Sequence, residues 1–292
     1  SLIDESTIEI LKEAPLGAIQ LEIGIQSFNA ETLKAINRKN SIERLVKNIR
    51  ELIKFGTIHI HVDLIVGLPY EDMKSLEESF NRAYFLNANM LQLGFLKILH
   101  GSDMKKMAEI GYEYSKRAPY QIISNNWISS EEMEKIHTCE HFFDKIYNSG
   151  RFQRTCKYVT SVLKNPFQIF MEFSEFAVKY ETSKLDDLTR VIYDYFSSLD
   201  GIDKSKLRDM LVIDRLTTNR SGHIPDFLRI HSPLVKQILK SLDKNEGTKR
   251  KEGIKRSLSL LSNMKKFVYV DYDIPNPVSK QFKLYENDID NI

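Results

Sequence analysis

The chain has 292 residues, 42% of them apolar and 28% charged, with a net charge of +2. That length holds one large domain or two ordinary ones around a real core, and the balance is that of a soluble globular protein. No apolar run approaches the ~18 residues of a membrane span and the N-terminus does not read as a signal peptide, so the cytoplasm is the expected compartment. Two cysteines, Cys139 and Cys156, are too few for a disulfide framework or for a four-iron cluster.

The first hundred residues alternate apolar runs with charged, helix-period stretches. Strands are expected at 18–26 (AIQLEIGIQ), 58–66 (IHIHVDLIV) and 91–99 (LQLGFLKIL), and helices at 41–55, 72–88 and 103–110. That rhythm predicts βαβ units and a parallel sheet. After residue 101 helical periodicity dominates to about 262. Phe167, Phe170, Phe173, Phe176 and Tyr180 recur every three or four positions and predict a buried helix face. FVYVDYD at 267–273 reads as one short strand.

Parity divides the second strand into an apolar face, Ile60, Val62, Leu64 and Val66, and an opposite face of His59, His61, Asp63, Ile65 and Gly67. The first strand divides likewise, with Gln20, Glu22, Gly24 and Gln26 on the polar side. Buried carboxylates and amides need partners. The polar faces therefore point either to a barrel interior open to a ligand or to a half-open sheet meeting water. The exits Gln26-Ser27-Phe28-Asn29, Gly67-Leu68-Pro69-Tyr70-Glu71-Asp72 and His100-Gly101-Ser102 lie where parallel α/β folds hold ligands. Asn29 is expected to cap a helix, and the acidic pair at 71–72 to sit in a first helical turn.

GIQSF at 24–28, Asn37-Arg38 and DLIVGLP at 63–69 resemble the second half of a radical S-adenosylmethionine (radical SAM) enzyme. The pattern is similar to that of oxygen-independent coproporphyrinogen oxidases and tRNA methylthiotransferases. LKILHGSDM, RAPYQ and YNSGRF, between 92 and 152, resemble cobalamin-binding radical SAM proteins that end in an uncharacterised helical domain. The resemblance implies an α/β fold: the second half of a partial (β/α)6 barrel over 1–101, with about three parallel strands, then a mostly helical domain over 102–292. It implies that Gln26 contacts the SAM ribose, that Arg38 reaches the same sugar or the methionyl carboxylate, that Asp63 accepts from ribose hydroxyls, and that Ile65 and Gly67 lie against the adenine. It further implies a [4Fe–4S] cluster, cobalamin, and reductive cleavage of SAM to a 5′-deoxyadenosyl radical. The enzyme would be of the Fe–S oxidoreductase or methyltransferase class, acting on an unknown substrate.

The cluster cysteines, the SAM-amine motif and the cobalamin domain of that family lie upstream of the matching strands. The chain therefore reads as a C-terminal portion, expected to be inactive alone and to bind neither cluster nor cobalamin. Its expected partners are the N-terminal barrel half and the cobalamin domain. A bare edge at 18–26 is expected to drive self-association. A non-catalytic ligand- or RNA-binding module is the alternative.

His59 and His61 are substrate candidates or hydrogen-bonded interior histidines. Arg151, in YNSGRFQR, either meets an anionic substrate or caps a helix. His137 and His141, at i and i+4, read as an exposed helical pair, and no metal site is expected. Residues 236–266 carry ten Lys or Arg against three acidic groups. They read as a solvated helix pair around an NEGTKRKEG turn, and RNA is not the expected partner, because few aromatics interleave.

Overall fold

The computed structural model describes residues 4–38, 41–102, 104–107, 111–245, 247 and 250–291. It opens with α1 (Glu5–Lys12), β1 (Gln20–Gln26), α2 (Ala30–Ala35), α3 (Ile42–Phe55), β2 (His59–Val66), α4 (Met73–Tyr84) and β3 (Met90–Phe95). These strands form a parallel sheet in the order β1-β2-β3, as their spacing predicts. The apolar face of β2 is sealed: Ile60, Val62, Leu64 and Val66 are all fully buried, each contributing roughly 1.5–3 kcal/mol. Asn29 caps α2, accepting from the backbone N–H of Glu31 at 3.0 Å and of Thr32 at 3.4 Å.

Further along come α5 (Met104–Met107), β4 (Tyr112–Tyr114), β5 (Ile122–Asn125) and α6 (Ser130–Phe143). The expected helix at 103–110 is represented by α5; residues 103 and 108–110 lie outside the described ones. A π-helical turn at Asp144–Asn148 then leads to α7 (Gln153–Leu163), α8 (Pro166–Ala177), α9 (Leu185–Ser197), α10 (Lys204–Thr218) and α11 (Leu234–Lys244). The chain finishes with β6 (Arg256–Leu260), β7 (Lys266–Asp271) and β8 (Leu284–Asp288).

The chain divides into two compact units, but not at residue 101. The first comprises Ser1–Asp144 and Asn165–Glu175, the second Lys145–Lys164 and Phe176–Ile292. The antiparallel β4–β5 hairpin extends the first unit, because the backbone beyond β3 keeps pairing: Ile98 N–H donates to Tyr120 O at 2.9 Å and Ile122 N–H to Leu96 O at 2.9 Å. Phe167, Phe170 and Phe173 of α8 are buried in that unit. Phe80 meets Phe167 at 5.5 Å between centroids, and Phe143 meets Phe170 at 4.7 Å. The aromatic stripe is a buried face only as far as Phe173, because Phe176, still on α8, is half-buried and Tyr180, past its end, is exposed, the two meeting at 4.8 Å in the second unit.

The second unit is less helical than the sequence suggests. FVYVDYD is the middle strand of a three-stranded antiparallel sheet, β6-β7-β8. The expected helix pair in 236–266 is one helix, α11, followed by β6. Residues 246, 248 and 249 of its turn lie outside the described ones. Ile238 and Leu242 of α11 pack on Leu260, Phe267 and Tyr269, which gives the alternating RSLSL segment its apolar backing. Among the described residues no helix is long and apolar enough to cross a membrane.

Candidate functional site

The polar face of the parallel sheet is half-open. Along it, Gln20 lies opposite His59, Glu22 opposite His61, and Gly24 opposite Asp63, which in turn faces Gln92 on β3. Ile65 lies opposite Gly94. The two small positions, Gly24 and Gly94, carry no side chain of their own on this face. Glu22 is exposed, and His59, His61, Asp63 and Ile65 are half-buried.

Simple alternation fails at the end of β1. The register slips between Gly24 and Gln26, so Gln26 pairs with Leu64, and Gln26 has φ +74°. This bulge folds the Gln26 amide back over Gly24: a Cβ on Gly24 would lie 2.2 Å from its Nε2 and 3.5 Å from a terminal nitrogen of Arg38. Bulges re-aim side chains in this way at functional strand ends. Gln26, Arg38 and Asp63 therefore converge around Gly24, although 37 residues separate the outermost two.

Asp63 is the anomalous member. Its Oδ1 is buried with no hydrogen-bond partner. Burial, reinforced by the neighbouring Glu22 carboxylate, pushes its carboxyl up to about 6. His61 is shifted the other way by burial and by His59, with Glu22 opposing. The two imidazoles meet edge to face at 4.8 Å.

The strand exits are tied together by a residue that sequence reasoning placed elsewhere. Asp72 caps α4, accepting from Ser75 N–H at 2.9 Å, whereas Glu71 turns inward and is fully buried. Its Oε1 accepts from Ser27 Oγ at 2.5 Å and from Ser79 Oγ at 3.0 Å, and its Oε2 has no partner. Burial pushes its carboxyl up to about 7 against the pull of the two serines. Asn29 Nδ2 donates to Tyr70 O at 2.8 Å, and Thr32 Oγ1 to Pro69 O at 2.8 Å. Two adjacent acidic residues gave no signal as to which would be the cap.

Gly67, at φ +88°, serves the hairpin. Ile122 Cδ1 lies 2.7 Å from where its Cβ would be, and Asn125 Nδ2 donates to its carbonyl at 3.0 Å. The same hairpin end carries Trp127, whose ring meets Tyr70 at 5.0 Å and Tyr112 at 6.1 Å. His137 is no surface helix residue: it stacks on Phe95 at 3.6 Å and its Nε2 meets Gln121 Nε2 at 3.1 Å. That stack makes it part of the packing at the end of β3. Arg151 belongs to the second unit.

An iron–sulfur cluster does not fit these residues. Cys139 and Cys156 are buried in different units, and burial pushes the Cys139 thiol up to about 12, far from the thiolate that ligation needs. Among the described residues no group of three or more candidate ligands converges.

Residues 1–83 match the Radical SAM superfamily. The chain is 30% identical to the oxygen-independent coproporphyrinogen-III oxidase-like protein HemZ of Bacillus subtilis, over 36% of this chain and 20% of that protein. It is 24% identical to the heme chaperone HemW of Bacillus subtilis, over 70% of this chain and 64% of that one. The solved coproporphyrinogen III oxidase (HemN) of Escherichia coli aligns with 49% of this chain and 30% of its own, at 19% identity and a TM-score of 0.36. The chain thus spans 20% and 64% of the length of the two curated relatives. Alongside the Radical SAM match at its start, the chain belongs, through residues 108–286, to the family described as protein of unknown function (DUF4080).

Proposed function

We propose that the half-open face of the parallel sheet holds the adenosyl part of S-adenosylmethionine in a radical SAM enzyme. The orphaned Oδ1 of Asp63 carries this reading. A buried carboxylate oxygen without a partner is costly, and a ribose diol is a pair of donors of the right kind for it. Gln26 offers both a donor and an acceptor beside it, the Arg38 guanidinium suits the methionyl carboxylate, and Ile65 offers an apolar surface for the adenine. Gly67 is left out of this set, since Ile122 and Asn125 already cover it.

The chemistry that bound SAM supplies in such enzymes is a 5′-deoxyadenosyl radical, and an oxidoreductase outcome accords with the coproporphyrinogen oxidases among the relatives. No step through the cluster follows from this chain, because its thiolates are not among these residues. Those names lend no support to a cobalamin dependence or a methyltransferase outcome, and the proposal is made without them. These residues bind and orient the nucleoside. The Ser27–Glu71–Ser79 network fixes the two exit loops that would carry it.

The test is titration of the chain with S-adenosylhomocysteine, followed by isothermal calorimetry. Binding that weakens at least about tenfold in Asp63→Asn, or ~1.4 kcal/mol, supports the reading. Equal affinity in the two proteins would remove Asp63 and this face from it.

A further inference from the structure

Three arginines of the second unit are buried: Arg208 at 7%, Arg215 at 2% and Arg256 at 6% exposure. Two are fully matched. Arg208 donates from Nε to Leu228 O at 2.7 Å, from Nη1 to Asp209 and Leu260 O at 2.8 Å each, and from Nη2 to Ser259 Oγ at 3.3 Å. Arg256 donates from Nε and Nη2 to both oxygens of Asp271, at 2.6 and 2.8 Å, and from Nη1 to Asp243 at 3.3 Å. Arg215, the most deeply buried, is not matched. Its Nε has no partner, Nη1 reaches only Thr189 Oγ1 at 3.4 Å, and Nη2 donates to Asp186 Oδ1 at 2.5 Å. Buried guanidinium donors are normally satisfied, and an exception in a native fold calls for an explanation.

The surroundings supply one. The carboxylate that meets Arg215 is half-exposed, with 45% of its side chain accessible, and its other oxygen lies 2.8 Å from Nε2 of His223, itself 48% exposed. A buried guanidinium and a half-exposed imidazole thus share one carboxylate. Asp186 also stands in the first turn of α9, whose N-terminus has no side-chain cap and itself favours anions.

We infer that Arg215 and His223 form an oxyanion-binding site in the second unit, in which Asp186 holds the place of a ligand's carboxylate or phosphate. A ligand oxyanion displaces the Asp186 side chain toward solvent and takes up donors of Arg215 that Asp186 leaves unmatched. The proposal is independent of the adenosyl site and stands on a different unit.

The test uses the full chain at low ionic strength, where such contacts are least screened, with inorganic phosphate and succinate titrated separately by calorimetry. Removing the internal competitor in Asp186→Asn should tighten binding of at least one probe about tenfold over the unaltered chain, ~1.4 kcal/mol. Adding His223→Ala, an exposed change, or Arg215→Met to that variant should abolish the gain. Preference for phosphate over succinate identifies a phosphorylated ligand, and the reverse a carboxylate. No tightening in Asp186→Asn, or a gain that survives both His223→Ala and Arg215→Met, overturns the site and leaves Arg215 to be satisfied by buried water.

Discussion

Ser27, one residue past β1, donates to Glu71, five residues past β2, across 2.5 Å and 44 positions of sequence. Ser79 of α4 completes the bridge, donating to the same oxygen and accepting from Phe28 N–H at 3.0 Å. The carboxyl of Glu71 is pushed up to about 7 from an ordinary 4.5. Its protonated form is therefore the one the fold prefers. Its contribution is fully present below pH 4.5 and is lost as pH rises through 7, by up to ~3 kcal/mol. Urea unfolding at pH 5 and pH 8 should show that loss, and Glu71→Gln should flatten it while keeping the bridge. A Glu71→Gln profile as steep as that of the unaltered chain would assign the pH dependence to another group.

Asp63 makes the pH dependence of ligand binding run the opposite way. Its carboxyl titrates at about 6, and only the ionised form offers both oxygens as acceptors. Affinity for S-adenosylhomocysteine should fall about tenfold from pH 7.5 to pH 5, and Asp63→Asn should be flat. Trp127, the single tryptophan, sits at the β2 exit against Tyr70, so its fluorescence emission can follow the titration.

Gly24 separates binding from folding. An alanine there meets the far end of a flexible side chain, the Gln26 amide at 2.2 Å. Gly24→Ala should displace that amide and weaken binding several-fold, with a stability change near 1 kcal/mol or less. Gly67→Ala should do the reverse. Its φ of +88° and the Ile122 contact at 2.7 Å predict a loss of about 1–3 kcal/mol, read as a lower Tm.

The edge of β1 gives a fourth expectation, in line with the self-association expected from the strand itself. Among the described residues β1 pairs only with β2, and Ile19 O accepts from His59 N–H at 3.1 Å. By alternation the backbone groups of Gln20, Glu22 and Gly24 face outward. Sedimentation velocity should show concentration-dependent dimers, and Gln20→Pro, which removes one outward donor without touching the ladder to β2, should reduce them. A monomer at every concentration in both proteins would exclude pairing through this edge.

The parallel pairing was legible in the strand–helix rhythm, and the faces of β2 because eight residues alternate without a break and one face is wholly apolar. The bulge at Gln26 was not, since nothing in QLEIGIQS marks where the ladder slips a register. β6 and β8 escaped notice because RSLSL and LYEND are short and polar, and their apolar backing comes from residues far away. In the candidate site, parity placed Asp63 on the polar face opposite Gly24, but it did not place the Gln26 amide, which the bulge turns back over Gly24. Glu71 and Arg215 were illegible, because burial of a charged side chain is decided by neighbours distant in sequence.

The contact of Ile122 and Asn125 with Gly67 sets a rule for exchanging parts between proteins. A chimera joined just after β3 would strip the covering from the β2 exit and leave a bare left-handed glycine beneath a foreign loop. One joined after α8 carries with the sheet both the hairpin and the helices whose Phe143 and Phe167 meet Phe80 of α4. Grafts that respect this seam should fold and keep the exit geometry, so the segments that follow α8 in relatives can be swapped and compared on one constant sheet.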